Sequence, residues 1–261
     1  MLPHHRNASP EADSSVALPY KSPLRFGSMK SNSMRSNGAF VFRLLFCVIT
    51  TLPLEVQAES AEHILQVARL NPTSRPAQLK AQIRGDGSIT PVTITLRNHV
   101  ISFGFKDPKQ TILLRLDPKE TKLSEEIAGT INPISSTHLH DEVRNTGLAY
   151  EDLSLGFLYW PDPVLQGEES LRTRVAWKID LQAPSGEPLY GVARVWIDKE
   201  SGGILRIEGY DKHGLLLRRF EIISAQKIDD LWMLRQMRIE SFKPGNPAPI
   251  SRRYLEVLGK N

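Results

Sequence analysis

From residue 79 onward the chain keeps returning to one pattern: apolar and polar residues alternate, then a short polar turn intervenes. Leu79, Ala81 and Ile83 alternate with Lys80, Gln82 and Arg84 before Gly85-Asp86-Gly87. Val92, Ile94 and Leu96 alternate with Thr93, Thr95 and Arg97 before Asn98-His99. Ile101, Phe103 and Phe105 make the next run, and Ile112, Leu114 and Leu116 the one after. The second half continues through Val175–Leu181, Ala193–Ile197, Leu205–Ile207, Leu215–Ile223, Trp232–Ile239 and Arg252–Leu258. A period of two marks strands with one buried face, and closely spaced polar turns order them as an antiparallel meander. Ten strands are expected.

Two segments break this rhythm. Ser60-Ala61-Glu62-His63-Ile64-Leu65-Gln66-Val67-Ala68-Arg69-Leu70 carries its apolar residues at helical spacing, with Ser60 as N-cap and Asn71-Pro72 as the stop. Between Tyr150 and Tyr159, apolar residues are too dense for a half-exposed strand, and Pro161 follows; a helix over 150–159 is expected. Strands and helices do not alternate, so no parallel α/β sheet is implied. The expected fold is mainly β with some α: one large curved antiparallel sheet with helices covering its concave face.

Residues 1–58 read differently. Arg35 and Arg43 precede an 11-residue apolar run, Leu44–Leu54, and Val56-Gln57-Ala58 offers a small-x-small cleavage site. This is the order of a secretory signal peptide, with an uncleaved anchor as the alternative. The apolar run is shorter than the ~20 residues needed to span a bilayer. Translation could begin at Met1, Met29 or Met34. The expectation is an exported, periplasmic domain over residues 59–261. The single cysteine, Cys47, falls within the leader, which excludes an intramolecular disulfide framework.

The formal charge of +4 invites a nucleic-acid partner. The leader segment, however, holds six basic and three acidic residues, leaving 27 basic and 26 acidic beyond it. A nearly neutral domain lacks the electrostatic footprint for DNA or RNA, so no nucleic-acid partner is expected. His138, His140 and Asp141 form the one dense group of possible metal ligands, but their spacing fits no zinc motif and a polar loop accounts for them. Ser154-Leu155-Gly156 and Glu200-Ser201-Gly202 lack the pattern of a nucleophile elbow. Glu168-Glu169 and Asp229-Asp230 are acidic pairs at turns, where carboxylates are ordinarily solvated. No catalytic residue, metal or cofactor is expected.

One set of ordered blocks is more specific. Asn145-Thr146-Gly147-Leu148-Ala149-Tyr150-Glu151-Asp152-Leu153 precedes Phe157-Leu158-Tyr159-Trp160-Pro161; then follow Val195-Trp196-Ile197-Asp198, Ile207-Glu208-Gly209-Tyr210-Asp211, Trp232 and Met237-Arg238-Ile239-Glu240. Together they resemble the outer-membrane lipoprotein-sorting proteins, the LolA-like group of exported bacterial proteins. The likeness spans roughly residues 60–258 and is firmest over 145–240. The resemblance implies an incomplete β-barrel with a helical lid, and a hydrophobic cavity that carries lipoprotein acyl chains or phospholipid across the periplasm without catalysis. The residues expected to line it are Phe103, Phe105, Leu114, Phe157, Leu158, Trp160, Trp177 and Trp196. Plain core packing is the competing account of each. A second function is also open: a sensor or envelope-assembly module with a filled core and a membrane-protein partner.

Overall fold

The computed structural model describes residues 60–71, 75–186, 188–228 and 231–260. The leader with its cleavage site after Ala58, Pro72 and the Asp229-Asp230 pair lie outside these residues.

The described chain opens with α1, Ala61–Leu70. Ser60 caps it: its hydroxyl accepts from the His63 N–H at 3.2 Å, supplying a partner that the first helical turn lacks. Ile64, Leu65 and Ala68 are buried on one face, as the spacing predicts.

The strands that follow are β1 (Ala77–Gly85), β2 (Ser88–Arg97), β3 (Val100–Phe105), β4 (Gln110–Leu116), β5 (Thr121–Ile127) and β6 (Thr130–Pro133). After an irregular crossing come β7 (Val164–Leu171), β8 (Arg174–Gln182), β9 (Val192–Asp198), β10 (Ile204–Tyr210), β11 (Leu216–Ile228), β12 (Leu231–Phe242) and β13 (Pro249–Lys260). Every pairing is antiparallel, in the order β6-β5-β4-β3-β2-β1-β13-β12-β11-β10-β9-β8-β7. Two meanders therefore meet at one seam, where β1 pairs with β13. The sheet has two free edges, β6 and β7, and is not closed into a barrel. This is the large curved sheet expected.

Among the described residues thirteen strands are present where alternation predicted ten. The three extra are β5, β6 and β7: the two edges and the neighbour of one. Their sequences, TKLSEEI, TINP and VLQGEESL, carry few apolar residues. An edge strand has less apolar surface to bury, and polar side chains there discourage pairing with other chains.

The crossing from β6 to β7 spans residues 134–163 and joins the two edges of the sheet. The helix expected over 150–159 is broken in two. Tyr150–Ser154 forms α2, Leu155 turns left-handed at φ 50°, and Gly156–Tyr159 forms a 3₁₀ turn. In α2 the Asp152 carboxylate reaches back to the Ala149 N–H at 2.7 Å, as the third residue of a capping box does. The break at Leu155 points Phe157 and Leu158 into the core, where both are almost fully buried.

α1 is tied to this crossing. The Arg69 side chain is buried, and its Nε and Nη2 donate to the Leu158 carbonyl at 3.0 and 2.7 Å. Its other nitrogen pairs with Glu62 at 2.7 Å. Asn71 donates to the Ser201 carbonyl at 2.7 Å, which fixes the end of α1 at the β9–β10 turn. Helix and crossing together form one apolar cluster with the inner face of the sheet. Among the described residues no helix is long and apolar enough to cross a membrane.

Candidate functional site

The inner face does not fill completely. Between the sheet and the 143–157 crossing lies a cavity of about 330 Å³. Its walls come from β1–β4, from β10–β13 and from the crossing. The strands that supply the walls lie on both sides of the β1–β13 seam, so the cavity straddles the join between the two meanders. Alternation explains why the sheet side is apolar: Ile94, Phe103 and Leu255, for example, each sit on the inward face of their strand.

Thr146 and Asp152 are the two polar side chains in the wall among the described residues, and both are internally partnered. The Thr146 hydroxyl donates to the Val143 carbonyl at 2.5 Å and accepts from the Leu148 N–H at 3.3 Å. Asp152 accepts hydrogen bonds from the Tyr190 hydroxyl and the Ala149 N–H, and meets the Arg218 guanidinium at 3.2 Å. Burial pushes the Asp152 carboxyl up from its ordinary range, with Arg218 opposing. Burial likewise drives the Tyr190 phenol well above its ordinary value, with the adjacent carboxylate adding to the shift. These groups are spoken for, so the space inside offers contact with hydrocarbon and little else.

One end of the cavity is sealed. Arg144 donates to the carbonyls of Asp107 and Pro108 in the β3–β4 turn, Arg253 to the carbonyl of Asn145, and Arg218 to that of Gly147. Gly147 is required here: its φ is +73°, and a Cβ would lie 2.7 Å from Nε of Arg253. The wall residues beside this clamp, Ile83, Phe105, Val143, Thr146 and Leu148, are buried. At the opposite end, Leu96, Leu155, Met233 and Leu234 are only half-buried. Among the described residues no arginine clamp closes this end, and the half-buried wall residues gathered there, between the β2–β3 turn, the β11–β12 hairpin and the bend at Leu155, make it the more open one.

Of the eight residues expected in the lining, the structure brings four to the wall: Phe103, Phe105, Leu114 and Phe157. Leu158 is buried beneath α1 in solid core. Trp160 packs at the core margin, edge-on to Phe157 at 6.4 Å. Trp177 points inward with Ile179 and Leu181 but lies away from the cavity, beneath the Lys199 ammonium at 3.9 Å. Trp196 lies on the other face. Ala193, Val195 and Ile197 point inward, so their neighbour Trp196 must point outward, where Lys178 and Arg206 cover its ring.

Reading the sequence alone missed the contribution of β12, β13, β1 and β2, including Met233, Met237, Leu255 and Leu79. The alternation in those strands was visible, but a wall beside empty space has the same pattern as a filled core. His138 and His140 do not converge on a common point. His138 pairs with Asp141 at 2.7 Å and His140 with Glu151 at 3.1 Å.

An open antiparallel sheet curled around an apolar cavity, with helical segments across it, defines the LolA-like class of fold. Solved structures bear this out. A domain assigned to the outer membrane lipoprotein-sorting proteins from Vibrio parahaemolyticus matches with a TM-score of 0.60, at 16% identity over 76% of this chain and 91% of that one. A LolA superfamily protein from Nitrosomonas europaea matches with a TM-score of 0.55, at 17% identity over 77% and 92%. A DUF1329 family protein from Desulfovibrio piger matches with a TM-score of 0.52, at 21% identity over 76% and 90%. At these identities the likeness establishes the fold. No curated protein matches the sequence. A family model described as "uncharacterized protein" matches residues 109–253, more than half of the chain, and the chain belongs to that family.

Proposed function

We propose that the protein is a non-catalytic periplasmic carrier that encloses an acyl chain of a lipid or lipoprotein and helps deliver it to the outer membrane. The observation that carries this reading is the cavity itself: apolar, about 330 Å³, more open at one end, with its few polar neighbours already paired. That volume is at the small end of ligand pockets and suits one acyl chain. Each methylene removed from water gains ~0.8 kcal/mol, so a chain of roughly a dozen gains on the order of 10 kcal/mol before the costs of association. No catalytic group is needed for such a task. The leader expected from the sequence is consistent with a site of action in the periplasm, and two of the three fold relatives, those described as a lipoprotein-sorting domain and a LolA superfamily protein, support a carrier type of activity.

The test fills the cavity. Met237 is half-buried in the wall and flexible, so Met237→Trp adds bulk into open space rather than into solid core. Native mass spectrometry and lipid extraction of the exported protein are expected to show bound lipid in the wild type and little in Met237→Trp. Equal lipid content in the two, with the variant folded, would sink the assignment.

A further inference from the structure

The β11–β12 hairpin parts from the ladders of its neighbours. On one side, β10 pairs with β11 no further along than Glu221; on the other, β13 pairs with β12 no nearer the turn than Gln236. Between these limits β11 and β12 continue to pair with each other as far as Ile228 and Leu231. At the more open end of the cavity the two strands ladder only with each other and are held to their neighbours by side chains: Gln226 donates to the Val257 carbonyl of β13 at 3.3 Å, and Arg172 to the Ile223 carbonyl at 2.9 Å. Met233 and Leu234 on this ribbon form part of the cavity wall. Trp232, beside them, is 74% exposed, the largest exposure among the large apolar side chains of the described residues. Leu258, near the end of β13, is 61% exposed at the same end of the sheet.

Isolated two-stranded ribbons are marginal in water, and an exposed tryptophan on one is costly unless something covers it. The surrounding charge says what. At this end β12, β1, β2 and the segment leading into β1 present exposed Arg75, Lys80, Arg97 and Arg235. The nearby Glu256 is occupied by Arg84, Gln82 and Gln236. Asp198, Glu200 and Glu221, which share a groove with Trp232, are paired too: the first two with Arg174, and Glu221 with Arg206 and Arg238. Asp229 and Asp230, which separate β11 from β12 in the sequence, offset part of the formal charge, and the balance stays positive.

We propose that this end of the molecule seats on an anionic phospholipid bilayer, with the ribbon at the interface and the cavity mouth facing the lipid. Tryptophan favours that boundary, because its ring is apolar and its N–H can face the headgroups. Basic side chains around it meet the negative surface. An acyl chain could then pass from bilayer to cavity along Met233 and Leu234 without crossing water. The proposal rests on the carrier reading for its purpose, though not for its measurement.

Vesicle flotation of the exported protein tests it. Binding is expected to vesicles containing phosphatidylglycerol, to be weaker with phosphatidylcholine alone, and to fall with added salt. Trp232→Ser is expected to lower partitioning about tenfold or more, and Arg235→Ala about fivefold. Both side chains are exposed, so both variants should fold. Displacement of a fluorescent fatty acid in vesicle-free solution reads the cavity separately, and neither variant should change it. Unaltered flotation in both variants overturns the docking surface. So does a wild type that ignores vesicles but forms a dimer lost in Trp232→Ser, which assigns the ribbon to a second copy of the chain. Probe binding without flotation removes docking alone. Trp232-dependent flotation without probe binding leaves docking standing and removes the carrier.

Discussion

At the scale of single residues, the most constrained spot is the polar knot beside the cavity. The Tyr190 ring is fully buried and lies flat over Gly209, where a Cβ would approach its Cε1 to 2.3 Å. Glycine is thus required at 209 by a close approach, which explains its place in the Ile207-Glu208-Gly209-Tyr210-Asp211 block. Gly209→Ala must push a buried ring out of place and is expected to cost about 1–3 kcal/mol or more, read as a lowered urea midpoint. Tyr190→Phe keeps the ring and removes the hydroxyl, leaving the buried Asp152 carboxylate one donor short. The expected loss is again about 1–3 kcal/mol, with the cavity still able to bind. Equal stability in Tyr190→Phe and wild type would show that the hydroxyl contributes nothing to holding α2. None of this was legible in the sequence, because Asp152, Tyr190 and Arg218 are separated by dozens of residues and meet only through the crossing. Trp196 teaches the converse. Its outward orientation follows from the inward run Ala193, Val195, Ile197, so the strand's own alternation already argues against Trp196 as cavity lining.

At the scale of elements, the decisive feature is the seam between the two meanders. β13 meets β1 along its length, and the Glu256 carboxylate pins that join: it accepts from Arg84 at 2.7 Å and Gln82 at 2.8 Å on β1, and from Gln236 at 3.1 Å on β12. These hydrogen bonds, Arg84 foremost, hold the Glu256 carboxyl down at about 2. A carboxylate whose folded value lies below its unfolded one stabilises the fold above the unfolded value, near 4.3. That stability is lost as pH falls from there toward about 2. Glu256→Gln should therefore be less stable than wild type at neutral pH, and the two stability curves should converge as pH falls through this window. Urea midpoints measured from pH 6 to 2 (a roughly chosen span around those values) would show it, and parallel curves would refute it. The seam was invisible in the sequence, where β1 and β13 sit at opposite ends of the domain. The strands themselves were legible wherever one face is buried, from Leu79 to Leu116 and from Val175 to Leu258. The edges β6 and β7, and β5 beside one of them, were not, because strands at the margin of a sheet bury little apolar surface and carry few of the apolar residues that mark a strand. α2 was misread as longer for a related reason: dense apolar residues from Leu153 to Trp160 say that the segment is buried, and do not say that Leu155 turns left-handed.

For the whole molecule, the crossing 134–163 does two jobs that pull against each other. It must cover the inner face, because an open curved sheet would otherwise leave its apolar side in water. On the carrier reading it must also leave the cavity unfilled and reachable. The structure reconciles these by fastening the crossing unevenly. Three arginines, Arg144, Arg218 and Arg253, hold the backbone of residues 144–147 at the sealed end through main-chain carbonyls. At the mouth the wall relies on half-buried Leu155, Met233 and Leu234. An empty apolar cavity is a standing loss of dispersion contacts, so its occupant should stabilise the fold as a whole. A ligand at about a hundred times its dissociation constant adds about 2.7 kcal/mol. For a domain of this size that is a rise in Tm of about 5–10 °C. A thermal melt with a long-chain fatty acid is thus expected to shift upward in the wild type. Met237→Trp, which occupies the same space with its own side chain, should melt at or above the unliganded wild type and gain nothing from the lipid. Phe157→Ala enlarges the cavity from the crossing side. It should melt lower by an amount matching about 3–5 kcal/mol and recover part of that loss on adding lipid. If lipid raised Met237→Trp as much as wild type, the stabilisation would come from elsewhere on the surface. The cavity would then be a packing defect rather than a site.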